Sequence, residues 1–128
     1  MTSSAPAPAA RAAVFMRGDH PGHLAKLDSL EADVVIVDFE DAVAESRRDE
    51  ARRLFSDAMD GVRRGTRVWV RISTGDAASA SCEADLEVVV RREVEAIVVP
   101  KADDPRQLAA LNERIGALER ARSLPEGG

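Results

Sequence analysis

A single cysteine, Cys82, in 128 residues leaves no intrachain disulfide to form, so nothing in the chain asks for an oxidising compartment and a cytoplasmic thiol protein is the expectation. Aromatic residues are scarce at 3%, which leaves valine, alanine and leucine to fill the interior. No stretch approaches the ~20 consecutive apolar residues that a membrane helix requires, so no membrane partner is expected. Basic charge is not in excess: 18 Lys and Arg against 23 Asp and Glu give a net charge of -5. That balance offers no electrostatic footprint for a nucleic-acid backbone, and nucleic acid is not an expected partner. A glycine-rich phosphate loop is also missing. The opening MTSSAPAPAA has no basic start and no apolar run, so residues 1–10 read as a frayed tail and not as a targeting segment.

What is present is a composition of 45% hydrophobic and 32% charged residues, that of a soluble globular chain. The length suits one domain with a modest core, placed at residues 11–128. The apolar run Ala12 to Met16 ends at Arg17 and Gly18, which predicts a buried strand and a turn. Asp19 can cap a following helix, with Pro21 in its first turn and Leu24, Leu27 and Leu30 at helical spacing. Val34 to Val37 is apolar at every position, as in a parallel strand covered on both faces. Ser46 and Asp49 resemble a capping box ahead of a helix that carries Ala51, Leu54, Phe55 and Ala58 on one face and stops at Gly61.

RVWVRI, Arg67 to Ile72, predicts the third strand, and EADLEVVVRR a third helix despite its β-branched valines. AIVVP, Ala96 to Pro100, predicts the fourth strand. Asp104 and Pro105 open a fourth helix with Leu108, Leu111, Ile115 and Leu118 on its buried side. Strand and helix thus alternate four times at the spacing of βαβ crossovers, an α/β chain with a parallel sheet.

In parallel α/β folds ligands collect beyond the carboxyl ends of the strands. Those ends carry Arg17, then Asp38, Glu40 and Asp41, then Arg71 and Ser73, then Lys101. Acids beside Arg71 and Lys101 suit an anionic substrate, with the bases holding it and the acids orienting the bases or binding a cation. Arg71 follows an apolar run directly, and its permanent charge can neutralise a carboxylate or a developing enolate. Equally open is an ion pair between Arg71 and Glu40 that only fixes the rim. Asp19, His20 and His23 make a thin case for a metal, with capping as the alternative. Cys82 falls in a polar loop without a paired histidine and reads as an incidental thiol. The patches SRRDEARR and VVVRREVE mix signs at short spacing and read as solvated helix faces.

Four segments, RAAVFMRGDHPGHLAK, VVIVDFEDAV, RVWVRIS and AIVVPKADD, resemble in order the first four strands of the citrate lyase beta subunit and malyl-CoA lyase group, within the HpcH/HpaI aldolase superfamily. The likeness spans almost all of residues 11–128, and DFEDAV and PK are its most telling pieces. It implies four βα units equivalent to the N-terminal half of a TIM-type (β/α)8 barrel, in a family whose members are roughly twice this length. It also implies a lyase or aldolase acting on a carbon–carbon bond beside a CoA thioester of the citryl-CoA or malyl-CoA kind, with Mg²⁺.

Residue by residue, the resemblance matches Arg71 to the arginine that holds the acid substrate and steadies the enolate, and Glu40 and Asp41 to the acidic pair beside it. Phe15 and Lys26 match positions contacting the CoA-bearing substrate, His20 stands where an arginine is usual, and Lys101 matches a supporting lysine. Arg17 replaces a proline, and Ser73 an asparagine. The Mg²⁺ ligands of the family, a Glu and an Asp, come from its fifth and sixth strands, beyond the residues present here.

Two rival readings belong to other classes. A receiver-like signalling domain has a similar length, but it needs acids where Arg17 and Gly18 end the first strand. A non-catalytic half-barrel would leave its outer strands unpaired and fold against a partner or a second copy, which makes a homo-oligomer the expectation.

Overall fold

In the computed structural model, which describes residues 9–127, four parallel strands form one sheet in the order β1-β2-β3-β4. The strands are β1 (Ala13–Arg17), β2 (Val34–Asp38), β3 (Val68–Arg71) and β4 (Val94–Val98). Between and after them lie α1 (Pro21–Leu24), α2 (Arg48–Asp60), α3 (Ala80–Val89) and α4 (Pro105–Ala121). Strand order equals chain order, so every crossover carries the chain one place further across the sheet, and β1 and β4 are left as edges. Residues 9 and 10, the part of the expected tail that is described, are exposed and irregular; residues 1–8 lie outside the described residues. Among the described residues no helix is long and apolar enough to cross a membrane.

Alternation along the strands divides the sheet into two faces. Met16, Val35, Val37, Val68 and Val70 face the helices and pack with Ala51, Phe55 and Met59 of α2 and with Cys82, Leu86 and Val89 of α3. The opposite face carries, in register, Phe15, Ile36, Trp69 and Ala96, and one step towards the strand ends Arg17, Asp38, Arg71 and Val98. β2 is buried at all five positions because it has neighbours on both sides as well as cover. Gly18 donates its amide to the Asp38 carbonyl, 3.0 Å away, and a Cβ there would come within 2.6 Å of the fully buried Phe39 ring. Only glycine lets β1 turn this tightly against β2.

The element order expected from the sequence is the observed one, with several local corrections. The first helix is a single turn followed by a 3-10 turn over Leu27–Ser29, because Gly22 weakens it and Leu30 is left outside the core. Its N-cap is His20, not Asp19: His20 Nδ1 accepts from the His23 amide at 3.1 Å. Ser46 and Asp49 form no capping box; a 3-10 turn over Glu45–Arg47 leads straight into α2, and Asp49 pairs with Arg52 at 2.7 Å. β4 begins two residues earlier than expected. Its pairing with β3 slips by one residue, so that Val68 meets Val94 while Trp69 meets Ala96. The extra residue, Glu95, accepts from the Trp69 indole at 2.6 Å. α4 is capped by Asp104 as expected and buries Leu111 and Leu118, while Leu108 stays exposed.

Candidate active site

Asp38 is the last residue of β2, and parallel register sets it directly between Arg17 of β1 and Arg71 of β3. Arg71 donates from Nε to Asp38 Oδ1 at 2.8 Å and from Nη2 to Oδ2 at 2.9 Å, a two-pronged pair that fixes the guanidinium plane. The amides of Glu40 and Ala42 donate to the same carboxylate at 3.0 Å each. Burial pushes the Asp38 pKa up, but the Arg71 bonds and these amides outweigh it and hold the group below its usual value. The Asp38 pair in turn raises the already high pKa of Arg71, so the guanidinium stays cationic at any working pH. The Phe15 ring lies 4.9 Å from Arg71 Cζ, close enough for a cation–π contact.

Glu40 stands 3.8 Å from Arg71 Nε, and Asp41 3.9 Å from Nη2, so both acids gather at the same strand tips as Arg71. Neither is its main partner. The ion pair expected between Arg71 and Glu40 is present but loose, and the hydrogen-bonded pair is with Asp38, because Asp38 ends its strand level with Arg71 whereas Glu40 lies two residues out in the loop. Glu40 is held by Lys101, whose Nζ is 2.6 Å from Oε2, and that contact lowers the Glu40 pKa and raises that of Lys101. Lys101 sits in the left-handed region at φ 49, a conformation uncommon outside glycine, which turns the chain after β4 back towards Glu40.

A cleft of about 310 Å³ opens here, lined by Phe15, Arg17, Asp38, Asp41 and Arg71 with Met16 and Ala42. His20 and Lys26 do not line it. His20 stacks on His23 with ring centroids 3.6 Å apart, and Lys26 is exposed ahead of the 3-10 turn. Asp19 accepts from Arg17 and Arg47. A larger cleft, about 1280 Å³, lies between α3, β4 and α4 at the opposite ends of the strands, lined by Arg67, Val94 and Ile115 among others. None of the charged strand tips reaches it, and the amino ends of a parallel sheet are not where ligands collect.

The sequence profile of the HpcH/HpaI aldolase/citrate lyase family matches residues 11–123. The chain belongs to that family. Among HpcH/HpaI proteins it is 28% identical over 119 residues to the mitochondrial citramalyl-CoA lyase of Rattus norvegicus, covering 91% of this chain and 35% of the relative. It is 35% identical over 112 residues to a citrate lyase subunit beta-like protein of Mycobacterium tuberculosis, covering 85% and 38%. It is 32% identical over 102 residues to a (3S)-malyl-CoA thioesterase of Cereibacter sphaeroides, covering 79% and 35%. The chain therefore spans a little over a third of the length of these HpcH/HpaI relatives.

Behind the strand tips of this HpcH/HpaI chain lies a polar cluster that the sequence reading missed. Asp85 of α3 is fully buried. It accepts from Arg52 Nε at 2.8 Å and from both the amide and the hydroxyl of Ser73 at 2.6 Å. Arg52, expected on a solvated face, has 11% of its side chain exposed and also reaches the Ser81 hydroxyl at 3.1 Å. This cluster fixes Ser73, two residues beyond Arg71. Cys82 is not in a loop but on α3, fully buried, and burial pushes its thiol up to about 11. An alkylating reagent at pH 8 should leave Cys82 unmodified in the folded chain and react with it in urea. Equal modification rates with and without urea would contradict that placement.

Proposed function

We propose that the chain forms the keto-acid end of the active site of a carbon–carbon lyase acting on a CoA thioester of a hydroxy acid, of the citryl-CoA, malyl-CoA or citramalyl-CoA kind. The observation that carries the reading is the Arg71 guanidinium, held by Asp38 at the mouth of a cleft whose residues come from neighbouring strand tips. Family membership and the activities named for the relatives support it. Residues 11–128 act in this proposal as four units of a TIM-type barrel. The edges of β1 and β4, unpaired among the described residues, then receive further strands, from more of the same polypeptide or from another copy. The compartment we assign is the cytoplasm, where a single buried thiol is at ease.

Once a base has taken the hydroxyl proton, cleavage of the bond between the hydroxyl-bearing carbon and its neighbour leaves a keto acid and a carbanion stabilised as an enolate by the thioester, which then takes up a proton. Arg71 holds the carboxylate of the keto-acid part, and its position is set before substrate arrives because Asp38 has already fixed the guanidinium plane. Phe15 covers the guanidinium face and limits water at that edge. Glu40 is kept ionised by Lys101, which holds negative charge at a fixed distance from Arg71 and discourages a second anion from settling on that side. The Mg²⁺ implied by the resemblance has no fitting donor set here. Asp38 is committed to Arg71 and Glu40 to Lys101, and among the described residues no three His, Cys, Asp or Glu side chains group as a metal site. In this reading its ligands come from outside these residues.

The test is titration with pyruvate, a keto acid with one carboxylate. Arg71→Ala should weaken pyruvate binding by at least about tenfold, the effect of one lost charge-assisted hydrogen bond. Unchanged pyruvate affinity in Arg71→Ala would remove Arg71 from the site.

A further inference from the structure

Arg17 and Arg71 end β1 and β3, and Asp38, which ends β2, lies in register between them. The two guanidinium groups are held in the same way. Arg17 donates from Nε and Nη2 to the two oxygens of Asp19 at 3.0 Å each, as Arg71 donates from its Nε and Nη2 to Asp38. Among the described residues, Nη1 makes no hydrogen bond in either arginine. Both aspartates are buried, at 3% and 2% exposed, while the arginine side chains keep 53% and 24% of their surface. A buried carboxylate that grips one edge of a guanidinium stiffens it and leaves the end-on edge, Nη1 with Nη2, available to an outside anion.

Both arginines line the cleft of about 310 Å³. Alternation along β1 puts Arg17 on the same face as Phe15, whose ring meets Arg71. Two strand spacings of about 4.8 Å separate the tips of β1 and β3, roughly 10 Å between their backbones. A single carboxylate does not span that gap, whereas two carboxylates on a short carbon chain, met by two long side chains, do. The exposed Asp41 carboxylate in the same cleft disfavours a more highly charged anion such as a polyphosphate.

We infer that Arg17 determines specificity: it takes the second carboxylate of a dicarboxylic keto acid whose first carboxylate rests on Arg71. The inference depends on the reading of Arg71 as the carboxylate holder, and the experiment separates the two. The chain is titrated calorimetrically with pyruvate and with freshly dissolved oxaloacetate, which is pyruvate carrying one more carboxylate. Wild type should bind oxaloacetate at least about tenfold more tightly than pyruvate, the effect of one added charge-assisted contact. Arg17→Gln should remove about tenfold from oxaloacetate affinity and less than about twofold from pyruvate affinity, and Arg17→Lys should restore part of the loss.

Because Arg17 also pairs with Asp19, thermal melting must show that Arg17→Gln is folded; if it is not, Arg17→Lys, which keeps the charge opposite Asp19, carries the comparison. Equal wild-type affinity for the two acids, or an equal loss of both in the Arg17 variant, overturns the inference while Arg71 keeps its role. Keto-acid binding that survives Arg71→Ala, or no binding of either acid by wild type, overturns the underlying reading as well.

Discussion

Asp85→Ala is expected to destabilise the chain by about 3–5 kcal/mol, the cost of removing one partner of a buried ion pair. The carboxylate is fully buried and serves three donors, Arg52 Nε and the amide and hydroxyl of Ser73. Alanine takes the buried partner from an arginine that has only 11% of its side chain in solvent and keeps Asp49 and Ser81, and it removes the carboxylate to which the Ser73 amide donates. Against a total stability of about 5–15 kcal/mol for a domain of this size, the loss is a large fraction. Urea unfolding should show a much lower midpoint at unchanged slope. Replacing the pair together, Arg52→Met with Asp85→Leu, should recover much of the loss, since no charge then remains buried, but not the part that Ser73 supplies. An Asp85→Ala chain that unfolds at the wild-type urea concentration would show that the cluster contributes nothing.

Asp38→Asn should be nearly as costly, by about 3 kcal/mol, and should also abolish the preset geometry of Arg71. The carboxylate accepts four hydrogen bonds, two from Arg71 and one each from the amides of Glu40 and Ala42. An amide in its place turns an N–H towards the guanidinium, donor against donor, and Arg71 must swing away. Pyruvate affinity should therefore fall in Asp38→Asn, by no more than in Arg71→Ala, although Asp38 itself need not touch the ligand.

Acid should reproduce the effect in the wild type. The Asp38 pKa is lower in the folded than in the unfolded chain, so its contribution to stability is complete above the ordinary aspartate value of about 4 and is lost as the pH falls below it. The loss of stability between pH 4 and pH 2 should be smaller in Asp38→Asn, which has no such proton to gain. Identical acid profiles for the two chains would rule Asp38 out as the group responsible.

The strands and their parallel order are legible in the chain because Val34 to Val37 and Val68 to Val70 are continuous apolar runs between turn signals. The gathering of Arg71, Glu40 and Asp41 at one end follows from the same reading, since each stands at or just past the end of a run. The identity of the partner did not follow. Register is a tertiary property, and whether Arg71 faces Asp38 or Glu40 depends on a pairing between residues 33 positions apart. Aligning the two runs by their last apolar residues, Val37 with Val70, would have set Asp38 opposite Arg71.

Asp85 also left a signal. Cys82, Asp85, Leu86 and Val89 share one helical stripe, and a carboxylate in a buried stripe calls for a buried cation. No local pattern marks Arg52 as that cation. It stands among five other arginine and acidic side chains of α2 that do face solvent, such as Arg53 and Asp57. The first helix failed as a prediction because leucine spacing alone does not sustain a helix that holds a glycine in its first turn and has little sheet to pack on.

Whether Asp38 locks Arg71 at a cleft that receives a carboxylate is read most directly from the arginine side-chain N–H signals of a ¹⁵N-labelled chain. The Arg71 Nε–H should exchange slowly with solvent in the free chain, move on pyruvate addition, and be released to fast exchange in Asp38→Asn. An Arg71 signal that exchanges freely from the start and does not respond to pyruvate would contradict it.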